Sequence, residues 1–187
     1  LDKAVAGLER EQTITVNPLY GESLILGQQA ETGNAVLFRI LLPARQNPER
    51  YYWRVRVYDQ YRNDGWTTGP GFARPFTPAD RSLQLPDQEG MIAEFTFKVM
   101  DNNIGLMVTP ANPVWVSRPS RLTFFRAEGE TLDPVLLEPQ AIIMSGEEYV
   151  VHAAVINPTV LELRAAGTDY PDWVREHYLQ LPADLPP

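Results

Sequence analysis

Few residues of this 187-residue chain could supply the nucleophile or the base of a hydrolase. There is no Cys, and the only imidazoles are those of His152 and His177. The Gly-x-Ser-x-Gly turn that presents the Ser of many esterases is absent, and Ser145-Gly146 stands alone in a turn-like context. His152 lies in an apolar, strand-like run and His177 lies among aromatic residues near the C-terminal end. These settings favour packing roles for both His over a catalytic triad.

Oxygen ligands with part of the spacing of a calcium loop begin at Asp101. The run Asp101-Asn102-Asn103-Ile104-Gly105 has Asp and Asn in alternate positions, but it lacks Asp or Asn at the fifth position. It also lacks Gly at the sixth and Glu at the twelfth, so an Asx turn is favoured. Two His without ligand spacing do not predict a zinc site. We therefore expect no metal and no cofactor.

Pairs of neighbouring acids are the other catalytic candidates. A glycoside hydrolase needs two carboxyl groups roughly 5–10 Å apart across a cleft. Each pair in this chain also fits a solvated turn, and sequence spacing does not place any of them in a cleft. The pairs are Glu147 with Glu148, Asp59 with Asp64, and Glu128 with Glu130.

Aromatic side chains are densest at residues 51–66, which hold two of the four Trp and four of the eight Tyr. The first half of this stretch alternates, which predicts a half-buried strand. One side would pack into a core, and on the other side guanidinium groups could stack on aromatic rings. The predicted core side consists of Tyr51, Trp53, Val55 and Val57. The predicted interaction face consists of Tyr52, Arg54, Arg56, Tyr58 and Trp66. Trp66 joins this face because a tight Asn63-Asp64-Gly65 turn would fold its ring back over the strand.

Short apolar runs between turn signals dominate the elements that must position these residues. The clearest alternation is at 94–99, a buried-type strand is expected at 148–156, and four Asn-Pro pairs mark turns. Seven to ten such strands predict a mainly β fold, an antiparallel β-sandwich of Ig-like or related type. Residues 65–90 show little periodicity and are expected to form a long connection.

The pattern changes after residue 157. Short helices are predicted over 159–166, ended by Gly167, and over 170–179, followed by an extended Pro-rich linker at 181–187. We therefore divide the chain into a β-sandwich domain, residues 1–157, and a segment of short helices and linker, residues 158–187.

Composition limits the partners. The net charge of −8 argues against nucleic acid and against anionic lipid surfaces. No run of 18 apolar residues is present, so no segment is expected to insert into a membrane. The chain begins at Leu1 without an apolar leader, which we interpret as an excised piece of a longer protein.

The aromatic stretch also resembles a known signature. Tyr52-Trp53-Arg54-Val55-Arg56-Val57-Tyr58-Asp59-Gln60-Tyr61-Arg62-Asn63-Asp64-Gly65-Trp66-Thr67 is similar to a segment of multi-pass bacterial membrane proteins that carry an extracytoplasmic transglutaminase-like domain. The upstream runs 24–27 and 36–40 and the tail runs 163–167, 170–174 and 178–182 resemble the same region. The family more often has Asp-Gly-x-Gly where this chain has Asn63-Asp64-Gly65, which alters the turn.

The resemblance implies a non-catalytic segment that precedes the transglutaminase-like core. None of the Cys-His-Asp catalytic residues of that core can be placed on this chain. The first hypothesis is thus an extracytoplasmic, membrane-tethered scaffold or substrate-presenting module. Its partner would be the transglutaminase-like core of the same chain, and its substrate could be a protein or cell-wall peptide. Tyr170, Trp173 and Tyr178 would contact that core, and residues 170–187 would be exposed and adaptable. The alternatives are a peptide- or glycan-binding module that uses the Tyr/Trp/Arg face, and a small hydrolase.

Overall fold

The computed structural model describes residues 11–14, 23–25, 35–43, 51–62, 65–81, 83, 91–101, 103–129 and 131–180. These residues form antiparallel sheets and two short C-terminal helices, which confirms the mainly β prediction. The strands are β1 Glu11–Ile14, β2 Ser23–Ile25, β3 Phe38–Leu41, β4 Trp53–Arg54, β5 Gln60–Arg62, β6 Gly65–Thr67, β7 Phe72–Phe76, β8 Met91–Val99, β9 Thr109–Pro110, β10 Pro113–Val116, β11 Ser120–Arg126, β12 Leu132–Pro139 and β13 Glu148–Val155. The helices are α1 Val160–Ala165 and α2 Asp172–Tyr178.

Two of the sheets enclose the main core. One has the order β1-β3-β8-β13-β10 and the other the order β12-β11-β7. Alternate residues of β8 point into the core, and Phe95, Phe97 and Val99 are fully buried there. Leu122 and Phe124 of β11 belong to the same buried cluster. The arrangement is that of an antiparallel β-sandwich.

The aromatic stretch joins the two sides of the sandwich. Trp53 pairs with Pro110 of β9, and Arg56 forms an isolated bridge with Leu136 of β12. The Trp53 ring meets the Phe95 ring edge-on at 5.7 Å between centroids. Tyr51 meets the same ring at 5.2 Å. Tyr51, Trp53 and Val55 therefore face the main core as predicted, whereas Val57 packs against a second cluster. Regular pairing in β4 covers only two residues.

A polar group in the core is satisfied by the backbone. The Tyr149 ring stacks on Phe97 with centroids 5.0 Å apart. Its hydroxyl donates to the carbonyl oxygen of Val108 at 2.8 Å and accepts from the Val108 N–H at 3.1 Å. Burial raises the pKa of this phenol, so the hydroxyl stays protonated and keeps both hydrogen bonds.

The hairpin predicted around residue 64 is present. Arg62 pairs with Gly65 and Tyr61 with Trp66, so two residues lie between β5 and β6, as in the tightest hairpins. Residues 65–90, expected to form a long connection, contain regular structure in their described part. β6, β7 and a 3-10 turn at Pro78–Asp80 lie there, and β7 pairs with β11 along five residues. The signal was hidden because Pro75 and Arg74 interrupt the apolar alternation in β7.

Both predicted helices form, each shorter than the expected range. Thr159 caps α1: its side chain accepts from the Glu162 N–H, and the Glu162 carboxylate accepts from the Thr159 N–H. This capping box holds the pKa of Glu162 below its usual value. Gly167 follows α1 with a φ of 70°, a left-handed conformation that favours Gly. The predicted linker at 181–187 lies outside the described residues.

Candidate functional site

A second, smaller apolar cluster lies on the outer face of the β11–β12 sheet. Phe125, Val135 and Leu136 are buried in it. Phe125 is available on that side because its neighbour Phe124 turns into the main core. Val57, Leu106 and Tyr178 pack against the cluster. Helix α2 thus covers an apolar surface that the sandwich alone would leave open, and we call this contact region the α2 dock.

The aromatic anchor of the α2 dock is Tyr178. Its ring meets Phe125 at 6.4 Å between centroids, and its hydroxyl donates a short hydrogen bond to Oδ2 of Asp133. Arg54 lies within electrostatic reach of both Asp133 and Tyr178. A cation, a carboxylate and a phenol therefore meet at one half-buried point contributed by three separate elements.

Burial governs the charges at this point. Desolvation raises the pKa of Asp133, while the Tyr178 hydrogen bond, Arg54 and His177 act in the opposite direction. Desolvation likewise lowers the pKa of Arg54, and the nearby Asp133 opposes that change. The pKa of Tyr178 is raised, first by burial and then by its bond to Asp133. Both charged groups are thus partly removed from water, so the loss of either one would leave the other buried without its partner.

His177 makes the second contact of α2. Its ring stacks on Phe125 with centroids 4.2 Å apart and planes 10° from parallel. Its Nδ1 lies 3.7 Å from Oδ2 of Asp59, a side chain that is 3% exposed. The other oxygen of Asp59 accepts from the Gly69 N–H at 2.6 Å. A Cβ on Gly69 would lie 2.4 Å from Gln60 Nε2 and 2.9 Å from Asp59 Oδ2, so a larger residue would displace these side chains.

Local sequence favours α2 as a helix before any packing. Pro171 precedes it, and Asp172 lies in its first turn, where an anion complements the helix dipole. Arg175 and His177 lie in its last turn, where cations are favoured. Arg175 also pairs with Asp172 at 3.1 Å and with Asp169 at 3.2 Å. The helix therefore presents His177 and Tyr178 together from its last turn.

The predicted interaction face is not presented as one exposed surface. Tyr52 is 68% exposed, but Arg54 lies in the α2 dock, and this corrects the expectation that Arg54 faces outward. Arg56 and Tyr58 are half-buried. Trp66 packs on Tyr61, edge-on at 5.4 Å, as the fold-back predicted. The cation–π contact between Arg126 and Phe72, 4.4 Å from the ring centroid, lies on other strands.

The three residues expected to contact a following domain have different environments. Tyr170 is 44% exposed, and Trp173 is half-buried, with its ring 6.3 Å from that of Tyr178. Tyr178 is held by its own domain. In the described part of the end expected to be exposed, Tyr170, Asp172, Arg175, Glu176 and Leu179 are exposed. His177 and Tyr178 are half-buried, because they contact the outer apolar cluster.

The other chemical candidates are engaged in surface contacts. His152 lies on the outer face of β13, its Nε2 3.1 Å from Glu94 Oε2 and its ring 4.7 Å from the Trp115 ring. Glu147 pairs with Arg118 and Glu148 with Lys98. Asp64 and Glu130, the second members of the other acid pairs, lie outside the described residues.

The Ser145 region forms the predicted turn. The Ser145 hydroxyl donates to the Met100 carbonyl oxygen at 3.0 Å, and its N–H donates to Asn103 Oδ1 at 3.1 Å.

Among the residues that the structure describes, no three acidic or His side chains lie close enough together to hold a metal ion. Within the same residues, no helix has the length and apolar character needed to cross a bilayer.

Sequence reasoning missed Asp133 and Phe125, which form the seat of α2. A signal for Asp133 was available, since it is a lone acid at the start of the apolar strand β12.

Comparisons of the chain with family models, with curated proteins and with solved structures find no significant match.

Proposed function

We propose that this chain is a non-catalytic scaffold domain that holds its C-terminal helix in a fixed position and so orients a following domain. The observation that carries the proposal is the α2 dock, in which Tyr178 bonds to Asp133 beside Arg54 and His177 stacks on Phe125. These contacts tie the end of the described chain to the sandwich.

A fixed helix end supports a scaffold role because it determines where the next residues begin. If α2 were free, the exposed residues 156–171 would allow a following domain to sample many positions. With α2 in its dock, that freedom is lost, and the position of the last described residues is set by the outer face of the sandwich. A scaffold or substrate-presenting module needs such a defined geometry.

The identity of the following domain is the second part of the proposal. The aromatic signature at 52–67 and the tail at 163–182 resemble membrane-anchored, bacterial transglutaminase-like proteins. We assign the partner as a transglutaminase-like core on the same chain, and the compartment as extracytoplasmic. Arg54 lies within that signature and Tyr178 within that tail, so the dock gives these two matching segments a shared physical role.

Comparing thermal melts tests the proposal. The melt of a longer protein that includes the transglutaminase-like core would be compared with the melts of the present chain and of the core alone. A docked scaffold predicts one cooperative transition, with this domain melting at a higher temperature than it does alone.

A Tyr178→Phe variant of the longer protein provides the matched comparison. It removes one hydroxyl, keeps the ring, and is expected to weaken the link between the two domains. Two independent transitions at unshifted temperatures would contradict the scaffold function. Absence of a transglutaminase-like core from the longer protein would instead contradict the family assignment.

A further inference from the structure

Helix α1 exposes an apolar face that nothing in the described structure covers. Every residue of α1 is exposed, and Val160, Leu161 and Leu163 are 63%, 77% and 60% exposed. An isolated helix of fewer than roughly 12–15 residues is marginal in water, because most helical stability in proteins comes from packing. The capping box of Thr159 and Glu162 supplies local support only.

The exposed face has one charge at its centre. With 3.6 residues per turn, Arg164 lies between Val160 and Leu161 around the helix axis, and Leu163 lies on the far side of Val160. Glu162 projects from the opposite side, where it caps the helix. No ion pair joins Arg164 to any described residue, whereas Arg175 of α2 pairs with two acids. An Arg without an ion-pair partner that lies between two exposed aliphatic side chains is the composition of an interface anchor.

We propose that this face of α1, formed by Val160, Leu161, Leu163 and Arg164, binds another domain of the same protein through an apolar surface that carries a carboxylate opposite Arg164. The inference rests on the proposed function and gives the second contact of that scaffold: α2 fixes the chain end, and α1 receives the following domain.

Charge complementarity selects this occupant. A symmetric contact between two copies of α1 would bring one Arg164 toward the other, which is unfavourable. An anionic bilayer would be repelled by the −8 net charge of the chain. A protein surface with an apolar centre and one acid satisfies both the exposed aliphatic groups and the unpaired guanidinium.

Hydrogen exchange on the longer protein tests this surface. The amides of α1 are expected to exchange at least about tenfold more slowly in the longer protein than in the present chain. Arg164→Glu and Leu161→Ser should each remove that protection, while strands β8 and β13 stay protected. Matched controls are Arg121→Glu, an exposed Arg on β11, and Ile142→Ser, a side chain that is 61% exposed elsewhere.

Three results would overturn the inference. The first is equal exchange of α1 in both proteins although the following core is present and folded, which leaves the scaffold function itself intact. The second is protection in the present chain that grows with its concentration, which would assign the face to a second copy. The third is protection of the present chain by phosphatidylglycerol vesicles, which would assign the face to lipid.

Discussion

Helices α1 and α2 have similar lengths and are separated by six residues, yet one is held by the sandwich and the other is not. Helix α1 has the stronger local signal, a reciprocal capping box, and all of its residues are exposed, whereas four residues of α2 are half-buried. Helix α2 lacks a side-chain cap, but two adjacent residues of its last turn contact Phe125. Local helix signals therefore indicate where a helix forms, whereas the side chains of its last turn decide whether it is bound.

The difference also separates two kinds of surface. The α2 dock combines an apolar seat with a half-buried carboxylate and an Arg, so its occupant is specified by shape and by charge. The α1 face consists of exposed aliphatic side chains and a single Arg, and none of the described residues covers it. The first is a completed contact, and we propose the second as one that another domain completes.

The largest effect is expected at the seat of α2. Phe125→Ala removes a ring that is 2% exposed and that contacts both His177 and Tyr178. The expected loss in the free energy of unfolding is about 3–5 kcal/mol, the usual range for a buried Phe. Denaturant unfolding measures it; a loss below about 1 kcal/mol would show that α2 and its cluster add little.

A smaller effect is expected at the anchor of α2. Tyr178→Phe keeps the ring and removes the hydrogen bond to Asp133, which leaves that carboxylate without its phenol donor. The unfolding free energy should fall by about 1–2 kcal/mol, the range for a hydrogen bond to a charged group at a half-buried site. Tyr170→Phe, a change on an exposed ring before α2, is the control and should be neutral.

The free energy of unfolding should depend on pH through the titration of Asp133. Its pKa is raised in the folded chain, chiefly by burial, so the folded state binds its proton more readily than the unfolded state does. This favourable contribution is fully present below the unfolded pKa, about 3.9, and is lost as the pH rises through the folded value. The charged and titratable groups around Asp133 are Arg54, Tyr178 and His177.

The readout is the difference in unfolding free energy between the original chain and Asp133→Asn, followed from acid to neutral pH. The original chain should lose stability relative to the variant as the pH rises through that window. A constant difference would mean that Asp133 has the same pKa in the folded and unfolded states.

The smallest effect is expected on α1. Leu161→Ser changes a side chain that is 77% exposed and touches no buried cluster, so the unfolding free energy of this chain should change by less than about 0.5 kcal/mol. The shift in melting temperature should accordingly stay within about 2 °C. A loss comparable with that of Tyr178→Phe would mean that α1 packs on the sandwich after all.

Much of the fold was predictable because its signals are local. The alternation at 94–99 predicts β8, the Asn63-Asp64-Gly65 turn predicts the β5–β6 hairpin, and Gly167 marks the end of α1. Pro134 cannot donate a ladder hydrogen bond and a local pattern would end a strand there, but Leu132–Pro139 forms one strand with a register shift opposite Thr123 and Phe124. A register shift of that kind depends on the neighbouring strand, which a local pattern does not contain.

The α2 dock was not predictable in the same way. Tyr178 and Asp133 are 45 residues apart, and Arg54 is farther still along the chain. Alternation placed Arg54 correctly on the side away from Trp53, but it did not show that α2 covers that side. Sequence periodicity assigns a face to a strand; the environment of that face is decided by distant segments.

A double-mutant cycle between Tyr178→Phe and Asp133→Asn tests the central claim most directly. If α2 is held by its dock, the unfolding free energies of the two single variants and the double variant should give a coupling of about 1 kcal/mol or more. The pair Tyr170→Phe and Asp133→Asn is the control and should show additive effects. Additivity between Tyr178 and Asp133 as well would contradict the account, because it would mean that the two side chains do not interact in solution.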